Sequence, residues 1–352
     1  MKTLALRKKL TPFMLVFASI ALSIGLVAYP SHPSQAQTLP TISVSGNKLV
    51  ANGQEIILRG VNVLDPLKMR HYIGHFDNTY FAQAASWGTR VVRMPVHPDE
   101  WHHRFFNQSG NANKMDTIEQ AITWAANNGM YTIIDWHVIG SLVTGYFQSS
   151  IYKTTQAETE EFWCTIATKY KDDPRVAAYD LWNEPVTGRK GWIVIESEWI
   201  AQRNWYENLA DVVRAIDPNK PIICNGLDWG YNLQYAGANP VRRSGIVYAA
   251  HPYPNQDLPW GTYFGYLKAT YPVLATEFGF KNDGRQFDES QYTNQGGTGT
   301  YRTALDTYLE SQGIGWMPWN FSPEWDPELL ADWNYTPTEQ GYFYRDRLLA
   351  HP

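Results

Sequence analysis

Residues 176 to 185 read Val-Ala-Ala-Tyr-Asp-Leu-Trp-Asn-Glu-Pro. The run Val176 to Leu181 is short and mostly apolar, as a strand buried on both faces requires, and it gives way at once to Asn183 and Glu184. Longer amphipathic stretches flank it, Ala157 to Tyr170 before and Ser197 to Ile216 after, and Asp173-Pro174 and Asp217-Pro218 punctuate their ends. Helix, strand, helix at this spacing is one unit of a parallel sheet.

The unit repeats in both directions. Candidate strands upstream are Ile56 to Val61, Val91 to Pro95 and Tyr131 to Trp136; downstream come Pro221 to Cys224, Ile246 to Ala250, Val273 to Thr276 and Ile314 to Trp319, making eight in all. Helices are predicted over Asn78 to Ser86, Thr117 to Asn127, Tyr301 to Ser311 and Thr338 to Leu349. The fifth crossover, Tyr231 to Arg243, is irregular. The expected architecture is α/β, a (β/α)₈ TIM barrel. A small N-terminal β-hairpin cap precedes it, from Ile42 to Val44 and Lys48 to Val50, with a turn signal at Asn52-Gly53. No Pro-, Ser- or Thr-rich linker separates the units, so residues 37–352 read as a single domain without a tethered module.

The start of the chain reads as an export signal. Lys2, Arg7, Lys8 and Lys9 precede a mostly apolar stretch, Phe13 to Val27, and Ser34-Gln35-Ala36 supplies a small-x-small cleavage site. Residues 1–36 are thus an expected signal peptide, and the mature chain is expected to be secreted, extracellular or periplasmic. An uncleaved anchor is the alternative, but the apolar stretch is shorter than the roughly 20 residues a spanning helix needs. No membrane association is expected after cleavage. Of the two cysteines, Cys164 falls on a helix and Cys224 on a buried strand, and two separately buried thiols are favoured over a disulfide.

Composition narrows the function. A formal net charge of -5 with 18% charged residues gives no basic excess for nucleic acid. Aromatic residues make up 14% of the chain, including 15 Trp and 22 Tyr, which suits stacking on flat apolar faces such as those of sugar rings. A monomer is expected.

In such barrels the chemistry gathers at the carboxyl ends of the strands. Reading those ends in order yields Asn62, Arg93, His137, Asn183 with Glu184, Asn225, His251 with Tyr253, Glu277, and Trp319 with Asn320. Glu184 and Glu277 end strands four and seven, which face each other across the mouth, so the pair can flank a glycosidic bond as acid/base and nucleophile. Arg93 and a hydrogen bond from Tyr253 would keep Glu277 ionised, and drier surroundings would keep Glu184 protonated. Asn183 is a candidate partner for a sugar 2-hydroxyl, and Trp319 a candidate sugar platform. Asp135, two residues before His137, points to the same side one layer deeper and reads as an orienting group. Trp101, Trp229, Trp260 and Trp325 fall in predicted βα loops as possible subsite aromatics.

The motifs Arg59-Gly60-Val61-Asn62, Arg93-Met94-Pro95, Asp135-Trp136-His137, Trp182-Asn183-Glu184-Pro185, His251-Pro252-Tyr253, Thr276-Glu277-Phe278-Gly279 and Trp319-Asn320-Phe321 occur in that order. The set resembles glycoside hydrolase family 5, the cellulase family, over nearly the whole mature chain. That resemblance implies Arg93, His137, Asn183, Glu184, His251, Tyr253, Glu277 and Trp319 as the functional set. It also implies a retaining endo-β-1,4-glucanase acting on β-glucan without a cofactor or metal. A β-mannanase, or another β-glycan hydrolase with the same chemistry, is the alternative. A non-catalytic polysaccharide-binding barrel would need the two glutamates misplaced. A Schiff-base aldolase lacks a lysine at any predicted strand end, and the motif context of His137 and His251 argues against a metal hydrolase. N-terminal sequencing of protein from culture fluid is expected to begin near Gln37, and a chain beginning at Met1 in the membrane fraction contradicts the export reading.

Overall fold

A computed structural model of the protein describes residues 39–188, 194–256, 259–293 and 299–351. The expected leader, residues 1–36, lies outside them. The described residues belong to one compact unit, and no helix among them is long and apolar enough to cross a membrane.

Eight parallel strands form the central sheet: Gly60–Asn62, Val91–Val96, Tyr131–Trp136, Val176–Asp180, Ile222–Asn225, Ile246–Ala250, Val273–Ala275 and Gly315–Trp316. Each pairs with its sequence neighbour. The ring closes where Arg59 bridges Trp316, with Trp316 N–H donating to Leu58 O at 2.9 Å and Asn62 N–H to Pro318 O at 3.0 Å. The first and eighth strands are shorter than expected. Ile56 N–H is drawn to Leu49 O of the cap, and Pro318 has no N–H with which to continue a ladder.

Five of the expected helices flank strands as predicted, at Asn78–Ser86, Lys114–Asn127, Gln156–Tyr170, Glu196–Arg214 and Tyr301–Gln312, and Glu339–Ala350 closes the fold. Thr155 and Glu158 form a reciprocal capping box that starts the third of them. The fifth crossover contains no helix, and Asp228, Trp229 and Gly230 take successive positive φ values of 60°, 55° and 78°. The cap is an antiparallel three-stranded sheet, Ile42–Ser45, Lys48–Ala51 and Gln54–Glu55, one strand more than a hairpin. Cys164 and Cys224 are both free, but Cys164 is exposed, contrary to the expected burial. It lies on the solvent face of its helix, whose core face carries Phe162, Trp163 and Ile166.

The strand period of two sets the interior. Val91, Ile133, Ala178, Ile223, Val247 and Leu274 pack with Ile42 and Leu49 of the cap in one apolar cluster, while Val92, Ile134, Tyr179, Ile222 and Tyr248 pack in the cluster that includes the helices. Two residues further along the inward positions the side chains turn polar, at Arg93, Asp135, Asp180, Asn225 and Thr276, and all five are buried. A dry lower barrel therefore carries a polar upper layer.

Closure leaves little room between the first two strands. A Cβ on Gly60 would lie 1.7 Å from the carbonyl oxygen of Val91, a backbone atom that cannot move alone. Gly60→Ala is expected to destabilise the barrel by about 3 kcal/mol, read as a lower urea midpoint; an unchanged midpoint would contradict this packing.

Candidate active site

Arg93 is fully buried in the polar layer. Its Nε donates to Asp180 Oδ2 (2.9 Å), Nη1 to Asn62 Oδ1 (3.0 Å) and Glu277 Oε2 (3.1 Å), and Nη2 to Asn183 Oδ1 (2.7 Å). Nη2 also pairs with Asp135 Oδ1 at 3.2 Å. Burial pushes Asp135 and Asp180 up to about 7 against the pull of Arg93. Asn183 gives its oxygen to Arg93, so its buried Nδ2 has no protein partner and keeps a donor free.

The two glutamates are held differently. Glu277 receives Arg93 on one oxygen and the Tyr253 hydroxyl on the other at 3.0 Å. Glu184 sits just beyond its barrel strand on a two-residue strand, Glu184–Pro185, parallel to Ile139–Ser141, and its N–H donates to Val138 O at 2.9 Å. Burial raises both carboxyls. The charge of Glu277 raises Glu184 further, whereas Arg93 and the Tyr253 hydrogen bond hold Glu277 down. Glu184 is therefore the group that keeps its proton, and Glu277 the one that ionises first.

His251 is buried behind Glu184, with Nδ1 3.0 Å from Glu184 Oε1 and Nε2 3.1 Å from Thr276 Oγ1. Burial holds it well below the usual histidine range, so it is neutral. His137 is likewise held neutral, at about 3, and Asp135 Oδ2 lies 2.6 Å from its Nδ1, which is the orienting role anticipated for Asp135. The Nδ1 proton goes to Asp135, leaving a lone pair on Nε2.

A cleft of about 690 Å³ opens over this layer and is lined by His137, Glu184, Tyr253, Glu277, Trp319, Trp229 and Trp325 among others. The Trp319 and Trp325 rings are parallel to within 7° with centroids 6.2 Å apart, and His137 stacks on Trp319 at 5.2 Å. Trp229 is held by its indole N–H on Gln148 Oε1 (2.6 Å). Two expected subsite aromatics are not in the cleft. Trp101 is fully buried, packed on Phe162 with its N–H on Glu161, because its short helix turns the ring toward the helical shell. Trp260 is buried against Tyr292, Tyr301 and Tyr308 for the same reason. Arg93, Asn183 and His251 do not line the cleft themselves; they hold what does. Asp228 is buried with one oxygen unpartnered, and its charge helps to raise Glu184.

Several cleft residues escaped sequence reasoning. The second strand runs on to Val96, so the polar residue that follows it is His97, whose ring lies 4.5 Å from His137 and 5.4 Å from Trp325. Its place after a strand end is a signal that was available. Lys68, Asp99 and Tyr152 line the cleft from short helices, and Phe287 from a loop, all too short to carry a periodic pattern.

Among the described residues, two groups have metal-ligand spacing. Atoms of Glu184, His251 and Glu277 lie within 4.8 Å of one another, but both nitrogens of His251 are engaged and Arg93 already neutralises Glu277. His71, Glu100 and His103 form the other, outside the barrel mouth; there His103 Nδ1 accepts Phe105 N–H, which leaves the proton on its other nitrogen and no lone pair for a cation.

Residues 49–324 match the family model for cellulase, glycosyl hydrolase family 5. Endoglucanase C of Evansella cellulosilytica is 26% identical over 82% of this chain and 37% of its own length. Endoglucanase E-5 of Thermobifida fusca is 27% identical over 80% of this chain and 56% of its own, so the chain spans only part of these relatives. A β-glucanase from Saccharophagus degradans, solved with cellotetraose, superposes with a TM-score of 0.79 at 32% identity and covers 93% of this chain and 99% of that one. The chain belongs to glycosyl hydrolase family 5.

Proposed function

We propose that the protein is a retaining endo-β-1,4-glucanase. The observation that carries the retaining mechanism is the short reach between the carboxylates, with one oxygen of Glu184 and one of Glu277 within 4.8 Å. Retaining enzymes hold their carboxyl groups about 5 to 5.5 Å apart and inverting ones about 6.5 to 9.5 Å, to admit a water between. Glu277 attacks the anomeric carbon as the glycosidic C–O bond breaks, and the Glu184 proton passes to the leaving oxygen. Water then gives a proton to Glu184 and its oxygen to the anomeric carbon, releasing Glu277.

The glucan assignment is supported by the endoglucanase and β-glucanase names of the relatives and by the parallel Trp319 and Trp325 rings, which suit flat sugar faces. A glucan polymer is too large to enter a cell, so the leader-like segment over residues 1–36 fits a secreted enzyme. All the groups the reaction uses come from one chain, so a monomer suffices.

The test is cellopentaose in oxygen-18 water, read by mass spectrometry and by NMR of the first anomer formed. Shorter glucose oligomers with one label and β configuration are expected; α product contradicts retention, and cleavage of mannan but not cellopentaose reverses the substrate assignment. Glu184→Gln should lower kcat about 10² to 10⁴-fold, and Glu277→Ala should abolish turnover. Tyr253→Phe removes a hydrogen bond that favours ionised Glu277, so the Glu277 pKa rises and the acid limb of kcat/KM moves to higher pH. The expected shift is roughly one unit, and an unmoved limb would show that Tyr253 does not tune the nucleophile.

A further inference from the structure

The hydrogen bonds behind Glu184 form a chain whose donors and acceptors can be assigned from its far end. Asn225 Nδ2 donates to Asp180 Oδ1 (2.6 Å) and to the main-chain oxygen of Trp182 (3.0 Å). A carbonyl can only accept, so the amide orientation is determined and Asn225 Oδ1 faces the other way as an acceptor. The Thr276 hydroxyl lies 3.2 Å from that oxygen and must give it its single proton. Thr276 Oγ1 is then free only to accept, and His251 Nε2, 3.1 Å away, is the group that donates to it. A neutral imidazole with its proton on Nε2 carries a lone pair on Nδ1, and the atom facing that lone pair at 3.0 Å is Glu184 Oε1.

We propose that Thr276 is a positioning residue for the acid/base: by holding His251 in the Nε2–H tautomer it makes His251 a hydrogen-bond acceptor that stabilises the protonated form of Glu184. This rests on Glu184 being the acid/base. The opposite tautomer would place an N–H on Glu184 and stabilise its carboxylate, but it would also leave Thr276 with two acceptors and one proton. That arrangement sacrifices a buried hydrogen bond, so the network selects the first.

The consequence runs through both steps. In the first, the Glu184 O–H bond breaks and the leaving sugar gains the proton. Glu184 Oε1 then faces the Nδ1 lone pair with no proton between them. This unfavourable contact makes the carboxylate a stronger base, and it is relieved in the second step when an O–H bond of water breaks and Glu184 is reprotonated. The other ionisable groups acting on Glu184 are Glu277, Arg93, Asp135 and Asp228; Tyr152 and Tyr253 stand close enough for the Glu184 charge to act on them. Of these only Glu277, its neighbour in the chain, adjoins Thr276, so a change at Thr276 that leaves the acid limb set by Glu277 in place reaches Glu184 through His251.

The experiment compares Thr276→Val and Thr276→Ser in the full chain. Valine keeps the shape and removes the acceptor, so His251 is free to turn an N–H toward Glu184. The Glu184 pKa falls, and the basic limb of kcat/KM moves to lower pH by about one unit. Serine restores the hydroxyl and should restore the wild-type limb. An unmoved limb in Thr276→Val, or a shifted limb in Thr276→Ser with its hydroxyl intact, overturns the proposal. Long-range ¹H–¹⁵N NMR of the histidine-labelled wild-type chain gives a reading that needs neither variant nor turnover. His251 should show a protonated Nε2 and an unprotonated Nδ1, and the reverse pattern refutes the proposal. Failure of the acid/base assignment itself is distinguishable, since Glu184→Gln would then retain activity whatever the His251 tautomer.

Discussion

A guanidinium with no exposed surface, surrounded by Asp135, Asp180 and Glu277, is the constraint on which the upper barrel depends. Taking one positive charge out of water is costly, and so is burying three carboxylates; each is tolerable because the other is there. Removing one partner from such a cluster costs about 3 to 5 kcal/mol, since the remaining charges stay buried and uncompensated. Arg93 also spends its fork of donors on four residues at three strand ends, and Asn62, Asp180, Asn183 and Glu277 cannot drift from one another while it holds them. Both glutamates of the cleft are tied to it, Glu277 directly and Glu184 through Asp180, Asn225, Thr276 and His251. The site is one hydrogen-bonded body assembled from seven of the eight strand ends.

Most of this was legible because the barrel converts sequence parity into depth. A polar residue two positions after an inward apolar one on a short strand has nowhere to go but the upper layer. Arg93 after Val91 and Asp135 after Ile133 are readable on that ground alone. Asp180 and Thr276 obey the same rule, yet neither was singled out, because a strand interior or a residue beside a glutamate does not stand out by type. Their functions exist only in the hydrogen-bond pattern, which depends on distances between strands far apart in the chain.

The tryptophans mark where a linear reading stops. Trp101, Trp229, Trp260 and Trp325 all follow strands and all looked equivalent. What separates them is the direction a loop leaves the barrel. Trp229 rides on three consecutive left-handed residues that turn it over the cleft, whereas Trp101 and Trp260 lie on short helices that direct them into the shell. Local composition does not encode that direction. His97 was missed for a smaller reason, the length of one strand.

Thr276 and Glu277 are adjacent, and consecutive side chains near a strand end point to opposite sides. In the proposed mechanism one thus serves the acid/base through His251 while the other is the nucleophile. The two halves of the reaction share a single peptide unit, and neither can be re-aimed by moving the backbone there without disturbing the other. A change in the cleft that leaves the catalytic pair aligned must therefore come from residues outside this peptide unit, such as Phe287.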